Sequence, residues 1–343
     1  MSNAPIAGIE PEPVTEWLAA RVPVEVPLRF ELIAGGHSNL TYRVHDAGSG
    51  RWVLRRPPLH QVLATAHDMG REHRIISALA DTAVPVPATV GFCDDASVTG
   101  APFYVMDEVE GIVARSTAIA AELEPAARTQ VSRRLAEVLA EIHRVDLVAV
   151  GLDSLGRPDA YVERQLRRWM RQFDDSRTTE RPEVAALHAA LEQRIPEQGP
   201  ATLVHGDYRL DNCIVSADGE VLAVLDWELC TLGDPLVDLA QLLTYWAEPG
   251  DELTALDDSP TTVDGFADRA ALAGFYADAS GRDIGVLDYH LAFASWRLAC
   301  ILEGVYSRYL SGAMGDVPAD VHDFDVRIRG LLTRAGAHLE ALG

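Results

Sequence analysis

Three polar residues with metal-binding and proton-accepting chemistry lie close together beyond the middle of this 343-residue chain. Short apolar runs around them predict strands, with a hairpin turn at Ser216–Gly219. Asp207, Asn212 and Asp226 fall at the predicted strand ends. Two carboxylates and an amide suit a divalent cation, and one carboxylate could also accept a hydroxyl proton. Turns use the same residue types for local reasons, so a purely structural role is the alternative.

The motif His205-Gly206-Asp207, followed by Asn212 and Asp226, resembles the catalytic and metal-binding loops of the protein-kinase-like superfamily. The resemblance is to its aminoglycoside phosphotransferase and choline kinase branch. It implies an α+β, bilobal protein-kinase-like fold. A small antiparallel-sheet lobe that binds nucleotide would span 1–109, and a larger, mainly helical lobe with the catalytic and acceptor sites would span 110–343.

The resemblance also implies roles for individual residues. Asp207 would be the catalytic base, and Arg209 would neutralise charge on the transferring phosphate. The metal would be Mg2+, the phosphoryl donor ATP or GTP, and the metal ligands Asn212 and Asp226. Two neighbouring residues are expected to support these loops, namely His205 and Glu228.

Composition excludes several classes of protein. The net charge of −23 would repel a nucleic acid backbone, so no nucleic acid partner is expected. The four cysteines are far apart and suggest neither a zinc site nor a disulfide framework. No apolar run is long enough for a membrane span, and the first residues lack a signal-peptide pattern. We therefore expect a soluble cytoplasmic protein, with its oligomeric state open.

All 29 basic residues are arginine, because the chain contains no lysine. P-loop and Schiff-base enzymes both need lysine and are excluded. In the kinase-like pattern, Arg55 stands where the phosphate-binding lysine would be, and its planar fork can hold phosphate oxygens. A role as a strand-end surface residue is the alternative. Glu72 matches the helix glutamate that pairs with this basic residue, although Arg71 and Arg74 are alternative partners within the helix.

Two other segments match nucleotide-binding parts of the kinase pattern. Glycines in an early turn let the backbone approach a phosphate, and the resemblance assigns contacts there to Gly35, Gly36, Ser38 and Asn39. An ordinary hairpin turn would use the same residue types. A later apolar run resembles the kinase strand and hinge, and by that likeness the nucleotide base would contact Met106, Asp107 and Val109.

Helical periodicity dominates the second half of the chain. One helix is predicted to begin at Asp234 as N-cap, although in the family Asp234 and Asp238 would also brace the catalytic loop. A long helix is predicted over 284–310. Two of its arginines could face an anionic group of the acceptor, namely Arg297 and Arg308.

A further resemblance bears on the identity of the acceptor substrate. Segments 53–58, 161–169 and 304–308 resemble the phosphotransferase-type domain found fused to, or beside, acyl-CoA dehydrogenases. That resemblance implies a small-molecule hydroxyl substrate of the hydroxyacyl-CoA type, with an acyl-CoA dehydrogenase as functional partner. An aminoglycoside or amino-alcohol acceptor is the alternative, and would need acidic residues near Asp207, for which loop 251–258 is the obvious source.

Two hypotheses from other classes stay open at this point. A catalytically silent nucleotide-binding module would use the fold for regulation, and the absence of lysine favours it. A metal-dependent hydrolase could be built on His205, Asp207 and Asp226, but the remaining histidines lack the spacing of further ligands. The intact set of motif residues favours an active kinase over both.

Overall fold

The computed structural model describes residues 6–33, 39–59, 68–251, 254–255, 257–312, 321 and 323–343. The chain divides into two compact units. The first comprises Met1–Gly111 and Leu222–Glu228, and the second comprises Ile112–Val221 and Leu229–Gly343. The short segment that carries Asp226 therefore belongs to the first unit, while Asp207 belongs to the second.

Within the described ranges, five strands form the sheet of the first unit: β1 (Arg29–Leu32), β2 (Leu40–His45), β3 (Arg51–Arg56), β4 (Thr89–Cys93) and β5 (Phe103–Asp107). Their order is β1-β2-β3-β5-β4, and all neighbours are antiparallel. The alternation in β2 buries Tyr42 and Val44 on one face. Strand β3 has neighbours on both sides, and its residues from Trp52 to Arg56 are all buried.

In the described part of this unit, the helices are α1 (Pro11–Ala19), α2 (Met69–Leu79) and α3 (Ala96–Thr99). Val14 and Leu18 of α1 are buried in one core with Leu54 of the sheet. The Asp68 side chain caps α2 by accepting a hydrogen bond from the Arg71 amide. The apolar face of α2 is buried, as its periodicity predicts.

The second unit is mainly helical. Its helices are α4 (Thr117–Ala121), α5 (Pro125–Ile142), α6 (Tyr161–Ser176), α7 (Pro182–Glu192), α8 (Pro235–Tyr245), α9 (Arg269–Ser280), α10 (Leu287–Leu310) and α11 (Asp323–Ala341). Among the described residues, further short strands are β6 (Thr202–Val204), β7 (Cys213–Val215), β8 (Val221–Val224) and β9 (Thr231–Gly233), and residues 222–224 of β8 belong to the first unit. Strands β6 and β9 pair antiparallel. Single 3-10 turns lie at Leu210–Asn212, Trp227–Leu229 and Pro260–Thr262.

The core of the second unit forms where α6, α10 and α11 pack together. Trp169, Phe293, Trp296 and Ile328 are all buried there. The helix predicted over 284–310 is therefore α10, which begins three residues later than expected. Among the described residues, no helix is both long and apolar enough to cross a bilayer.

Candidate active site

The loop that carries Asp207 begins with a sharp turn after β6. Gly206 has a φ of +84°, in the left-handed region that favours glycine. A Cβ atom at this position would lie 2.7 Å from the backbone oxygen of Leu229. The turn therefore requires glycine, which explains this part of the sequence motif.

The carboxylate of Asp238 accepts hydrogen bonds from the backbone of the same loop. Its Oδ2 accepts a hydrogen bond from the His205 amide at 2.6 Å, and its Oδ1 accepts one from the Gly206 amide at 2.9 Å. The His143 ring nitrogen Nε2 lies 3.4 Å from Oδ2. Burial would raise the pKa of Asp238, but the His143 contact and the Gly206 amide hold it below its ordinary value. Asp238 therefore stays ionised and fixes the loop backbone.

The carboxylate of Asp207 is held by two side-chain amides. Its Oδ1 accepts a hydrogen bond from Gln241 Nε2 at 2.8 Å, and its Oδ2 accepts one from Asn212 Nδ2 at 3.0 Å. Asn212 Nδ2 also donates to the backbone oxygen of Asp207 at 2.8 Å. The guanidinium Nε of Arg209 lies 3.5 Å from Oδ2. These contacts define the direction in which the carboxylate faces.

Gln241 is in turn bound by Arg297. The NH1 group of Arg297 donates to Gln241 Oε1 at 2.9 Å, and its NH2 group donates to the Gly206 backbone oxygen at 3.0 Å. Arg297 is only 7% exposed, and its guanidinium lies over the Trp169 ring at 5.4 Å from the centroid. The two arginine contacts therefore join α10 to α8 and to the Asp207 loop.

Arg209 lies on the other side of Asp207 among aromatic and acidic groups. Its NH1 is 3.1 Å from Asp211 Oδ2, and its guanidinium is 4.9 Å from the centroid of the Tyr245 ring. Burial raises the pKa of Asp211, while the Arg209 charge opposes that shift. Burial also raises the pKa of Tyr245 to about 12, so its hydroxyl is neutral.

A cavity of about 210 Å3 opens beside Asp207. Most of its wall is apolar or aromatic, and Tyr245, Leu298 and Ile301 contribute to it. Among the residues that the structure describes, Asp207 is the only carboxylate in this wall. The polar remainder consists mainly of side chains already introduced, namely Arg209, Gln241 and Arg297.

The first unit contains a second buried cluster of charges. Arg55 NH1 donates to Glu72 Oε1 at 2.7 Å, and Arg55 NH2 donates to Asp226 Oδ1 at 3.0 Å. Glu72 is 1% exposed and Arg55 is 8% exposed. Burial raises the pKa of Glu72, and the Arg55 charge opposes the shift. The structure therefore joins Arg55 to Glu72, as the kinase pattern implies, and adds Asp226 to the pair.

Asp226 has a left-handed backbone with a φ of 65°. This conformation is uncommon outside glycine, although Asp and Asn adopt it more readily than other residues. Nearby, Asn39 Nδ2 donates to Glu228 Oε2 at 3.2 Å. The other predicted phosphate-contact residues, Gly35, Gly36 and Ser38, lie outside the described residues.

The predicted hinge lies at the end of β5. Met106 is buried, Asp107 is exposed and Val109 is half-buried. The Asp107 amide donates to the Ala88 backbone oxygen at 2.8 Å. Main-chain contacts to a nucleotide base at these positions stay a prediction.

Two predicted acceptor or support residues lie elsewhere in the second unit. Arg308 is exposed near the end of α10 and is absent from the described wall of the cavity. Asp234 caps α8 through the Leu236 amide at 3.0 Å, and its other oxygen lies 3.0 Å from His290 Nε2. Within the described ranges, no group of three or more His, Cys, Asp or Glu side chains is arranged to hold a metal ion.

Gln241 is part of this site, although no motif in the sequence indicates it. It follows Asp234 and Asp238 at positions i+7 and i+3 on α8, so the three side chains share one helix face. That spacing was visible in the sequence. An uncharged amide inside an apolar helix gave no further sign that it would contact Asp207.

Comparison with known protein families identifies this architecture. Residues 29–281 match the APH model, described as Phosphotransferase enzyme family. The chain belongs to this family. Mouse acyl-CoA dehydrogenase family member 10 is 38% identical over 297 residues, which are 85% of this chain and 28% of that relative. The chain described here covers roughly a third of the length of the curated relatives that it matches, between 28% and 37% of each.

Solved structures of other proteins have the same fold as this chain. A Ralstonia eutropha protein, described provisionally as an aminoglycoside phosphotransferase, is 33% identical with a TM-score of 0.81, and the match covers 97% of this chain and 98% of that one. Spectinomycin phosphotransferase in complex with ADP and spectinomycin is 13% identical with a TM-score of 0.62, and the match covers 96% of this chain and 98% of that one. The predicted α+β, protein-kinase-like fold is confirmed, and the prediction of a phosphotransferase is confirmed at the level of the family.

Proposed function

We propose that this chain is a small-molecule kinase that transfers the γ-phosphoryl group of ATP or GTP to an alcohol. One observation carries the proposal: the Asp207 carboxylate lines a cavity and is oriented by amide donors of Gln241 and Asn212. A base must lie within hydrogen-bond reach of the proton it accepts, and its orientation sets the attack geometry. Membership of the phosphotransferase family supports the same reaction.

In the proposed mechanism, Asp207 accepts the proton of the acceptor hydroxyl while that oxygen attacks the γ-phosphorus in line with the leaving oxygen. Arg209, whose Nε lies 3.5 Å from Asp207, would offset the negative charge of the transferring group. Arg55 would hold donor phosphates with its guanidinium, which Glu72 orients. Positioning and charge neutralisation supply most of the acceleration in such reactions.

We infer that Asn212 and Asp226 would each give one side-chain oxygen to a bound Mg2+. Both hydrogen bonds of the Asn212 amide nitrogen go to Asp207, so its Oδ1 is the atom left for a metal. In the other unit, Oδ1 of Asp226 accepts from Arg55, which leaves Oδ2. Mg2+ takes oxygen ligands of this kind, usually together with water and substrate phosphates. When bound, the ion would neutralise charge on the nucleotide phosphates.

A nucleotide donor is supported by proteins of the same fold. Spectinomycin phosphotransferase was solved with ADP, and aminoglycoside 2'-phosphotransferase-IIIa was solved with GDP. We assign nucleotide contacts to the early glycine turn and to the hinge at 106–109. Incubation with each nucleotide separately distinguishes ATP from GTP as the donor.

The charge of the cavity wall favours a neutral or anionic acceptor. An aminoglycoside carries several positive charges, whereas Asp207 is the only carboxylate among the described wall residues. The described carboxylates of the acidic loop at 251–258 already take part in ion pairs or hydrogen bonds. Asp251 pairs with Arg269, Asp257 pairs with Arg327, and Asp258 accepts a hydrogen bond from the Thr117 amide.

Within that class, we propose a hydroxyacyl compound, free or as its CoA thioester. The names of the curated relatives support an acyl substrate, because they describe acyl-CoA dehydrogenase family members. An acyl chain with a hydroxyl group would suit an apolar wall with Asp207 at one side. An acyl-CoA dehydrogenase, acting in the same cytoplasmic compartment, is the proposed functional partner.

The test is to identify phosphorylated products by mass spectrometry. The purified chain is incubated with Mg2+, ATP or GTP, and a panel of hydroxy acids, hydroxyacyl-CoAs, amino alcohols and aminoglycosides. We expect one phosphate to be added to a hydroxyacyl compound, and no product with Asp207→Asn. Asp218→Asn is the matched control, because the same change is made on an exposed turn. Phosphorylation of aminoglycosides alone would contradict the acceptor class, and tight nucleotide binding with no product would favour a silent module.

A further inference from the structure

Arg297 makes two hydrogen bonds that restrain the Asp207 loop, one directly and one through Gln241. One goes to Gln241 Oε1 at 2.9 Å and the other to the Gly206 backbone oxygen at 3.0 Å. Gly206 directly precedes Asp207, and Gln241 directly contacts it. A single buried guanidinium thus bonds both to the backbone before Asp207 and to a side chain that binds its carboxylate.

The arginine determines which way the Gln241 amide points. A guanidinium has only donors, so the group that faces Arg297 must be the amide oxygen. The amide nitrogen then faces Asp207 Oδ1, which it reaches at 2.8 Å. If the amide rotated by half a turn, its oxygen would face a carboxylate oxygen, and two acceptors would repel each other.

The carboxylate is restrained at both oxygens. Gln241 donates to Oδ1 and Asn212 donates to Oδ2, so rotation of the carboxylate plane would break one or both bonds. Asn212 lies on the same loop as Asp207, whereas Gln241 lies on α8 and Arg297 on α10. Because Gln241 and Arg297 are held by helices, they fix the position of the Asp207 carboxylate relative to those helices.

We propose that Arg297 and Gln241 form a positioning relay for Asp207. Arg297 sets the orientation of the Gln241 amide, and Gln241 sets the orientation of the Asp207 carboxylate. Neither residue exchanges a proton in this account. The relay rests on the proposed function, because Asp207 is the base assigned there, and it deepens that function by adding two residues that the sequence motif does not contain.

A purely structural role for Arg297 makes different predictions. The side chain packs over Trp169 and is buried, so its loss would lower stability by itself. A structural role would reduce the amount of folded protein without changing kcat of the folded fraction. It would also act independently of Gln241, so the effects of two substitutions would multiply.

The experiment compares Gln241→Met, Arg297→Met and the double variant, with kcat measured at saturating acceptor and nucleotide. Methionine has an unbranched apolar stem like those of glutamine and arginine, although it is shorter than arginine, and it removes the hydrogen bonds. We expect each single change to lower kcat by about 10-fold to 100-fold, since misplacement of a base by about 1 Å can cost 100-fold. The double variant should lose less than the product of the two single losses, because Arg297 acts partly through Gln241. Nucleotide affinity should stay at the wild-type value.

Losses that multiply in the double variant would overturn the relay, as would a loss confined to the acceptor KM. If Arg297→Met does not fold, Arg297→Lys replaces it. Lysine keeps the charge but presents one ammonium group in place of a fork, so an intermediate kcat is expected, and wild-type kcat would count against the relay.

Crystal structures of Gln241→Met and Arg297→Lys give a readout that needs no activity. The relay predicts a rotated Asp207 carboxylate in Gln241→Met. An Asp207 side chain that keeps its wild-type orientation there would overturn the relay. A wild-type protein that transfers no phosphate would instead refute the proposed function, and the two failures are therefore distinguishable.

Discussion

Asp238 binds the backbone amide of Gly206 at 2.9 Å, and thereby connects helix α8 to the loop that presents Asp207. The other oxygen of the same carboxylate accepts the His205 amide at 2.6 Å. Both amides are buried and find their acceptors in this one side chain. The loop conformation therefore depends on a charged side chain that is fully buried.

Replacing Asp238 by asparagine should destabilise the protein and slow the reaction. One backbone amide keeps the Asn oxygen as acceptor, while the other faces an NH2 group. An unsatisfied buried donor costs about 1–3 kcal/mol, so we expect the free energy of unfolding to fall by that amount. Urea unfolding checks this result, with Asp218→Asn on the exposed turn as control. Equal stability of the two variants would contradict the bracing role of Asp238.

The Asp238 contribution should also depend on pH. Burial would raise its pKa, but its hydrogen bonds hold the pKa below the ordinary value of 3.8. A carboxyl group of this kind stabilises the fold fully above its ordinary pKa, and that contribution is lost as pH falls through the folded-state pKa. The stability gap between wild type and Asp238→Asn should therefore be largest at about pH 6 and shrink at about pH 3. A gap that grows on acidification would contradict the assignment.

Gly206 offers a prediction with a matched control. Gly206 and Gly151 both have a positive φ, so alanine at either site should cost about 1–2 kcal/mol in backbone conformation. At Gly206 the new Cβ would also lie 2.7 Å from the Leu229 oxygen, whereas at Gly151 it would have no described atom within 4 Å apart from those of its chain neighbours. We expect Gly206→Ala to lose more stability and to lose activity. Unfolding curves and kcat for both variants test this difference, and equal effects would contradict it.

The buried pair of Arg55 and Glu72 should show strong coupling. Removing Arg55 leaves Glu72, which is 1% exposed, without its partner. Breaking such a pair costs about 3–5 kcal/mol, so Arg55→Met should lose that much unfolding free energy. The double variant Arg55→Met, Glu72→Gln should recover part of it, because the buried charge is gone. A double variant as unstable as the sum of both single variants would refute the coupling.

Magnesium dependence tests the assignment of Asp226. We expect Asp226→Ala to lose the part of nucleotide affinity that Mg2+ provides, while affinity measured in chelator changes little. Titration calorimetry with and without Mg2+ provides the comparison. A magnesium-dependent gain in Asp226→Ala equal to that of wild type would rule out Asp226 as a ligand.

More of the fold than of the candidate site could be predicted from the sequence. Alternating residues and helical stripes predicted the sheet and α10, because burial of one face controls both patterns. Asn212 contacts Asp207 within the local motif, since both belong to one loop. These features depend on neighbours in sequence.

The rest depends on packing between distant segments. Gln241 and Arg297 lie 56 residues apart, and their contact exists only because α8 and α10 pack together. The cavity wall likewise draws Trp169 from α6, Tyr245 from α8 and Ile301 from α10. No local pattern specifies which side chains of three helices will surround one cavity. The acceptor therefore could not be derived from the motifs.

The most direct test of the account is the single change Asp207→Asn, which keeps the shape of the side chain and removes its ability to act as a base. Phosphate transfer to the acceptor and Mg-nucleotide affinity are measured on the same preparation. We expect transfer to fall by at least about 100-fold, within the range that general base catalysis supplies, while nucleotide affinity is unchanged. Transfer by Asp207→Asn at the wild-type rate would contradict the central claim.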